Sequence, residues 1–322
     1  MIQKWKRAIE IFRNNGVRKL FTETRNYTKT RLEESIFIPI INNTYSSGVD
    51  MAVEDWDHLL ILDACRADMF EEVVGKVGDS YQRRRSNGSA TPEWIKRTFA
   101  SKSMGDTVYV SANPWVSRQA PDSFHDIINL WVELYDLDHA DLANATDMRK
   151  FDFDYGTTIP ARDVTNRAIE VAEEYPNKRI IVHYFQPHAP CIGLRDGTER
   201  EEPSRIHPEA DSYIEGDVSK EELWEVYCEN TGYAWHHAQR YLESVSGKKV
   251  VTADHGELFG ELLRPFPMRR YAHPDNLHHP KLTTVPWAEF EDERREIEDD
   301  GCNSILVDKE IIETRLKQLG YQ

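Results

Sequence analysis

Four short apolar runs constrain this fold more than any other feature of the sequence, because each one breaks at its carboxyl end into polar residues and a turn. They are HLLIL before Asp63, TVYVSA before Asn113, RIIVHYF (with His183 inside it) before His188, and KVVTA before Asp254 and His255. Runs that stay apolar without alternating suit strands buried on both faces, as in parallel sheets. Stretches of helical character lie between them. PEWIKRTFA begins with Pro92 behind Thr91, a residue type that caps helices, and ARDVTNRAIEVAEEY is amphipathic. Between Glu221 and Val245, the residues Tyr227, Thr231, Ala234, Ala238, Tyr241 and Val245 recur every three or four positions until Gly247 stops the helix. Alternating strands and helices predict an α/β fold around a mostly parallel sheet. Ligands of such sheets bind beyond the carboxyl ends of the strands. The polar residues that end the four runs are therefore expected on one edge, although they are far apart in sequence.

Composition narrows the function. The 322 residues carry 40 Lys+Arg against 56 Asp+Glu, a net charge of −16, which argues against broad nucleic-acid binding. Cys65, Cys191, Cys228 and Cys302 form no CxxC pair, so they read as thiols of a reducing compartment. No apolar run approaches the roughly 20 residues needed to cross a bilayer, and the basic start MIQKWKRAIEIFRNNGVRKL has no apolar signal segment. The expectation is a soluble cytoplasmic protein. Residues 1–50 read as a helical arm packed on the body, with Trp5, Ala8, Ile9, Phe12 and Val17 at helical spacing. Residues 51–322 read as one catalytic domain with loop excursions at about 191–218 and 262–290. The tract EFEDERREIEDD is expected to face solvent, and DKEIIETRLKQLGY to form a closing helix.

Five segments carry candidate chemistry. In TADHGE, Asp254 and His255 offer a carboxylate and an imidazole to one divalent ion. In DACRAD, Asp63 is a further carboxylate for the same ion; Arg66 is either a substrate contact or the partner of Asp68. In HYFQPHAP, His188 sits in a proline-bounded loop, placed for a metal ligand or a proton donor to a leaving group, whereas His183, inside the strand, reads as a core histidine. In SNGSATPEW, the hydroxyls of Ser89 and Thr91 stand at a helix start, where backbone N–H groups favour anions; a metal would lower the pKa of such a hydroxyl and make it a nucleophile. In YAHPDNLHHP, His273 and His279 are candidates for a second ion, together with a carboxylate that the sequence does not place. Asn113 completes the set as a strand-end substrate contact.

These pieces resemble the alkaline phosphatase and sulfatase superfamily, most of all prokaryotic and archaeal sulfatase-like hydrolases. LLILDACRAD, SNGSATPEW, VYVSANP, HYFQPHAP, VVTADHGELFGE, YAHPDNLHHPKLTTVPW and RLKQLGY run in the family's order across roughly residues 56–321. The resemblance implies a three-layer α/β/α sandwich with a mostly parallel mixed central sheet, and a divalent cation (Mn, Zn, Ca or Mg) held by Asp63, Asp254 and His255. It implies His188 as a substrate or leaving-group contact and His273 as a second ligand or anion contact. The chain departs from the family at the sulfatase nucleophile. Aligned on Pro92, Ala90 takes the position of the modified Cys or Ser, and Glu93 and Trp94 replace the residues that follow, so the formylglycine signature is absent. Ala64 stands where many sulfatases have a second Asp. Phosphodiesterase-like and phosphoglycerol-transferase-like relatives use an unmodified Thr in this region. The expected activity is hydrolysis or transfer of a phosphate mono- or diester, on a small anionic ester that is sugar- or lipid-linked, through Thr91 or Ser89. The alternatives are a non-catalytic sulfatase-like domain and a sulfatase without the formylglycine signature.

Overall fold

The computed structural model describes residues 33–43, 48–135, 158–195, 198–199, 204, 206, 216–264 and 268–303. After a π-helical turn, Glu33–Phe37, the elements run α1 (Ile38–Asn43), β1 (His58–Leu62), α2 (Ala67–Val73), β2 (Ser80–Arg85), α3 (Thr91–Thr98), β3 (Met104–Ser111), α4 (Trp115–Gln119), β4 (Phe124–Asn129) and α5 (Leu130–Tyr135). They continue through α6 (Ala161–Glu174), β5 (Arg179–Tyr184), the two-residue strands β6 (Leu194–Arg195) and β7 (Thr198–Glu199), and α7 (Lys220–Ser244). The last are β8 (Lys249–Thr252), β9 (Leu258–Leu262), β10 (Arg269–Ala272), α8 (Pro280–Thr283) and β11 (Thr284–Phe290).

The central sheet has seven strands in the order β2-β11-β8-β1-β5-β3-β4. From β8 to β4 every pairing is parallel; β11 runs antiparallel to both of its neighbours. Each of the four apolar runs forms one of the parallel strands, and β1 is buried at all five positions. Strand alternation sends successive side chains to opposite faces. On β5, the Tyr184 hydroxyl meets Thr165 of α6 at 2.9 Å, while His183 meets the Trp94 ring of α3 edge-on at 5.8 Å. Helices α6 and α7 thus cover one face and α3 the other, which makes the three-layer α/β/α sandwich. Helix α7 is fixed at its start by a capping box, with Ser219 and Glu222 each accepting from the other's backbone N–H.

Two segments differ from the sequence reading. Residues 262–290, expected as a loop, contain the β9–β10 hairpin end and all of β11. Pro286 hid that strand, because a proline has no N–H for the ladder and demotes a run to loop or edge. Here Pro286 sits opposite Arg83, and its carbonyl accepts the Thr252 hydroxyl at 2.7 Å. The basic run QRRR, which the sequence leaves open between an anion-steering patch and a solvated turn, belongs to the edge strand β2. Its arginines are engaged by Glu71 and Glu54, and Arg84 also lies over the Trp287 ring at 4.1 Å. Trp5, Ala8, Ile9, Phe12 and Val17 of the expected arm, most of 196–215 and the expected closing helix lie outside the described residues. Of the arm, Ile41 is buried with Leu258, Leu263, Leu277 and Leu282. Residues 291–300 are mostly exposed. Among the described residues no helix is long and apolar enough to cross a membrane.

Candidate active site

Because β1, β3, β5 and β8 are parallel neighbours, the residues after them meet at one edge. Asp63 follows β1, Asn113 follows β3, His183 and His188 end or follow β5, and Asp254 and His255 follow β8. The chain turns sharply after Asp63, with Ala64 at φ 60°, a left-handed conformation costly for a residue with a Cβ. That turn aims the Ala64 N–H at Asp254 Oδ1, 3.1 Å away, where the His255 N–H also donates at 2.8 Å. The carboxylate of Asp254 is thus oriented by two backbone donors, with Oδ2 left to face the site.

Thr91 stands at the other side of this cluster. It is the first residue of α3, and the capping position belongs to Ala90, which has no side-chain cap. The hydroxyl of Thr91 is therefore not used as a helix cap. Oγ1 lies 2.7 Å from Asp254 Oδ2, 3.2 Å from His255 Nε2 and 3.5 Å from Asp63 Oδ2. Ser89 is otherwise occupied. Its hydroxyl lies at 2.8 Å from Glu93 and 2.9 Å from the Pro274 carbonyl, and it accepts the Leu277 N–H at 3.1 Å. It ties the start of α3 to the loop that carries His273.

Asp63, His183 and Asp254 form one buried group whose ligand atoms lie within 4.8 Å of one another. His183 Nδ1 is held by the Tyr109 hydroxyl at 2.8 Å, and its Nε2 stands 3.9 Å from Asp63 Oδ2 and 4.0 Å from Asp254 Oδ2. Neither His183 Nε2 nor Asp63 Oδ1 has a hydrogen-bond partner, a costly condition for buried polar atoms. Burial, and then the neighbouring Asp254 charge, push the Asp63 carboxyl well above its usual range. Burial lowers His183 to about 4, and burial followed by His273 lowers His255 to about 3. The His255 Nδ1 hydrogen bonds to the Gly256 carbonyl at 2.8 Å, so its Nε2 lone pair faces the carboxylates. Two buried carboxylates and two imidazoles, with Asp63 Oδ1 and His183 Nε2 left without partners, are a donor set that fits a divalent cation.

A second group holds His188, Glu257 and His273, again within 4.8 Å. Glu257 is the carboxylate that the sequence left unplaced. It faces His273 Nδ1 at 3.0 Å. Burial would lower His273, but the Glu257 charge and hydrogen bond outweigh it and raise this imidazole to about 9. His188 goes the other way, lowered to about 3 by burial and then by His273. Of the two imidazoles, His273 is therefore the one whose surroundings favour the protonated form.

The remaining candidates are placed as follows. Asn113 Nδ2 donates to Asp63 Oδ2 at 2.7 Å. Arg66 is buried between Trp224 and Phe259 and donates to both oxygens of Asp68, to Glu261 and to the Glu257 carbonyl; it holds the turn and does not line the cavity. His279 caps α8, its Nδ1 accepting the Lys281 N–H at 3.2 Å, and belongs to neither group. The reading from sequence missed His183 and Glu257. A strand-end position one residue short of the turn was the signal for the first; adjacency to Asp254 and His255 was the signal for the second. Above the cluster opens a cavity of about 280 Å³, lined by Asp63, Thr91, Asn113, His188, His273 and Asp275 on its polar side.

No family model matches the chain, and no curated protein matches it. Similar solved structures include the integral membrane protein lipooligosaccharide phosphoethanolamine transferase A from Neisseria meningitidis, at 14% identity and a TM-score of 0.45, covering 91% of this chain and 59% of that one. A putative sulfatase from Bacteroides thetaiotaomicron has 10% identity and a TM-score of 0.38, covering 73% of this chain and 64% of that one. A protein in the alkaline phosphatase superfamily from Vibrio parahaemolyticus has 12% identity and a TM-score of 0.36, covering 83% and 66%. The chain thus spans about two thirds or less of the length of each of these three structures. The alkaline phosphatase and sulfatase superfamily, which the strand-end motifs of this chain resemble, is represented among its structural neighbours.

Proposed function

We propose that this chain is a metal-dependent phosphoester hydrolase or transferase with Thr91 as its nucleophile. The observation that carries the reading is the Thr91 hydroxyl, 2.7 Å from Asp254 Oδ2 and 3.2 Å from His255 Nε2, at the floor of an open cavity. Asp63, Asp254 and His255 would hold the cation, with His183 Nε2 facing the same space. When bound, the ion supplies positive charge that stabilises phosphoryl oxygens and lowers the pKa of a nearby hydroxyl.

The chain's own groups then divide the work. Thr91, oriented by Asp254, gives its proton to solvent as Oγ1 bonds to phosphorus, and the bond from phosphorus to the leaving oxygen breaks. His273, hydrogen-bonded to Glu257 at 3.0 Å, is suited to give a proton to that leaving oxygen, the role that the sequence offered to His188. Water, or an acceptor alcohol, then takes the phosphoryl group from Thr91 and returns the free hydroxyl. Asn113 keeps Asp63 oriented throughout through its 2.7 Å bond. Ser89, bound into its own hydrogen-bond set, has no part in the step.

The test is turnover of aryl phosphate mono- and diesters by the purified protein with Mn²⁺, Zn²⁺, Mg²⁺ or Ca²⁺, together with mass analysis of Thr91 after quenching. Metal-dependent turnover that vanishes in Asp254→Asn, with a phosphorylated Thr91 peptide, supports the reading. Turnover that persists without Thr91 removes it.

A further inference from the structure

The cavity above Thr91 is not lined by polar residues alone. Trp115, Trp131 and Phe185 form an aromatic part of its wall. Asn113 links the start of this wall to the reacting groups. Its Nδ2 donates to Asp63 while its Oδ1 accepts the Trp115 N–H at 3.0 Å. The Trp131 indole N–H donates to the Ala112 carbonyl at 2.8 Å. Rings continue the wall into the site. Phe185 meets His188 edge-on at 5.0 Å, His188 meets His273 at 5.0 Å, and His273 lies 4.7 Å from His255. Such a surface suits a flat or ring-bearing group.

Charge adds a second constraint. Asp63 and Asp254 together would offset the charge of a bound divalent cation. Glu257 is paired with His273. Asp275, an exposed residue of the lining, adds a further carboxylate, and among the described residues no Lys or Arg lines the cavity. A phosphate monoester at neutral pH brings two negative charges into this surround, and a diester brings one. In a partly buried site the extra like-charge interaction is far stronger than in water. A diester also brings a second organic arm, and the aromatic wall is a place for it.

We infer that the site selects phosphodiesters over monoesters, and that Trp115, Trp131 and Phe185 form the subsite for a ring-bearing ester arm. This rests on the phosphoester reading above, and it adds to that reading the charge state and shape of the substrate.

The experiment is calorimetric titration of the Mn²⁺-loaded full chain with diphenyl phosphate, a monoanion, and phenyl phosphate, a dianion at pH 8. Turnover of bis(4-nitrophenyl) phosphate and 4-nitrophenyl phosphate is measured in parallel. Diphenyl phosphate should bind at least about tenfold more tightly than phenyl phosphate, a difference within reach of one well-seated ring and one charge. Trp115→Ala and Phe185→Leu should each erase most of that advantage, weakening diphenyl phosphate several-fold more than phenyl phosphate, which brings one ring instead of two. Both side chains are half-buried; melting curves identify a variant that fails to fold, and the other then carries the test. Equal or tighter binding of phenyl phosphate, or an advantage that survives both substitutions, overturns the inference. Diester-selective binding with no turnover of either ester supports the subsite and overturns the enzymatic reading. Turnover of the monoester alone does the reverse.

Discussion

Thr91 Oγ1 and Asp254 Oδ2 lie 2.7 Å apart although 163 residues separate them in the chain. The contact joins the first turn of α3, on one face of the sheet, to the turn that ends β8. A hydroxyl placed at a helix start would ordinarily accept from its own helix. This one instead donates across the site, so its position is set by tertiary structure and its loss should be felt in chemistry before stability.

Thr91→Ala should therefore lower turnover by at least about 10³-fold while shifting the melting temperature little. Thr91→Ser should keep a measurable fraction of activity, since it retains the hydroxyl. Steady-state kinetics beside thermal melts check this, and an active Thr91→Ala protein would contradict it.

Asp63→Asn should make the metal-free protein more stable. The Asp63 carboxyl is raised by burial and by Asp254, so its ionised form opposes folding when no cation is bound. Removing that charge should add about 1–2 kcal/mol by denaturant titration. The same variant should lose the stabilisation that added Mn²⁺ or Zn²⁺ gives the parent. A less stable metal-free variant would show that Asp63 is needed for folding itself.

Arg66 is expected to matter for folding. It is 4% exposed and pairs with Asp68 at 2.7 Å and Glu261 at 2.8 Å. Arg66→Ala leaves those carboxylates uncompensated and should cost about 3–5 kcal/mol. Denaturant titration measures the loss. A change in KM without a loss of stability would instead place Arg66 at the substrate.

Glu93 gives a pH signature. Burial opposes its charge, but His278, the Ser89 amide and hydroxyl, and Arg97 outweigh it and hold the carboxyl at about 2, against an ordinary 4.5. A depressed carboxyl stabilises fully above the unfolded value and loses that contribution as pH falls through the folded one. Stability should decline between pH 4.5 and about 2, and Glu93→Gln should flatten this limb. After allowance for solvent screening on its accessible side, the difference is about 1–2 kcal/mol. Acid titration followed by circular dichroism compares the two proteins; identical curves would show that Glu93 carries none of it.

Several of these residues were legible from sequence for a local reason. Asp63, Asn113, Asp254 and His255 each follow an apolar run, and a parallel sheet brings such positions to one edge whatever lies between them. Arg66 and Asp68 were a visible pair because only Ala67 separates them. His183 was hidden because a histidine inside a strand looks the same whether it fills a core or faces a ligand; only the identity of its face, shared with α3, tells them apart. Glu257 was hidden because its partner, His273, is brought back by the β9–β10 hairpin. Pro286 concealed β11, whose place beside β8 no local rule supplies.

By itself the sequence determined the α/β class and the strand ends on which chemistry can sit, since apolar run length and breaking residues are local properties of the chain. Only the tertiary structure decided which hydroxyl faces the carboxylates, which imidazole keeps its proton and which arginine is structural. Those outcomes depend on burial and on charges a few ångströms away, and such neighbours come from segments that the chain order leaves far apart.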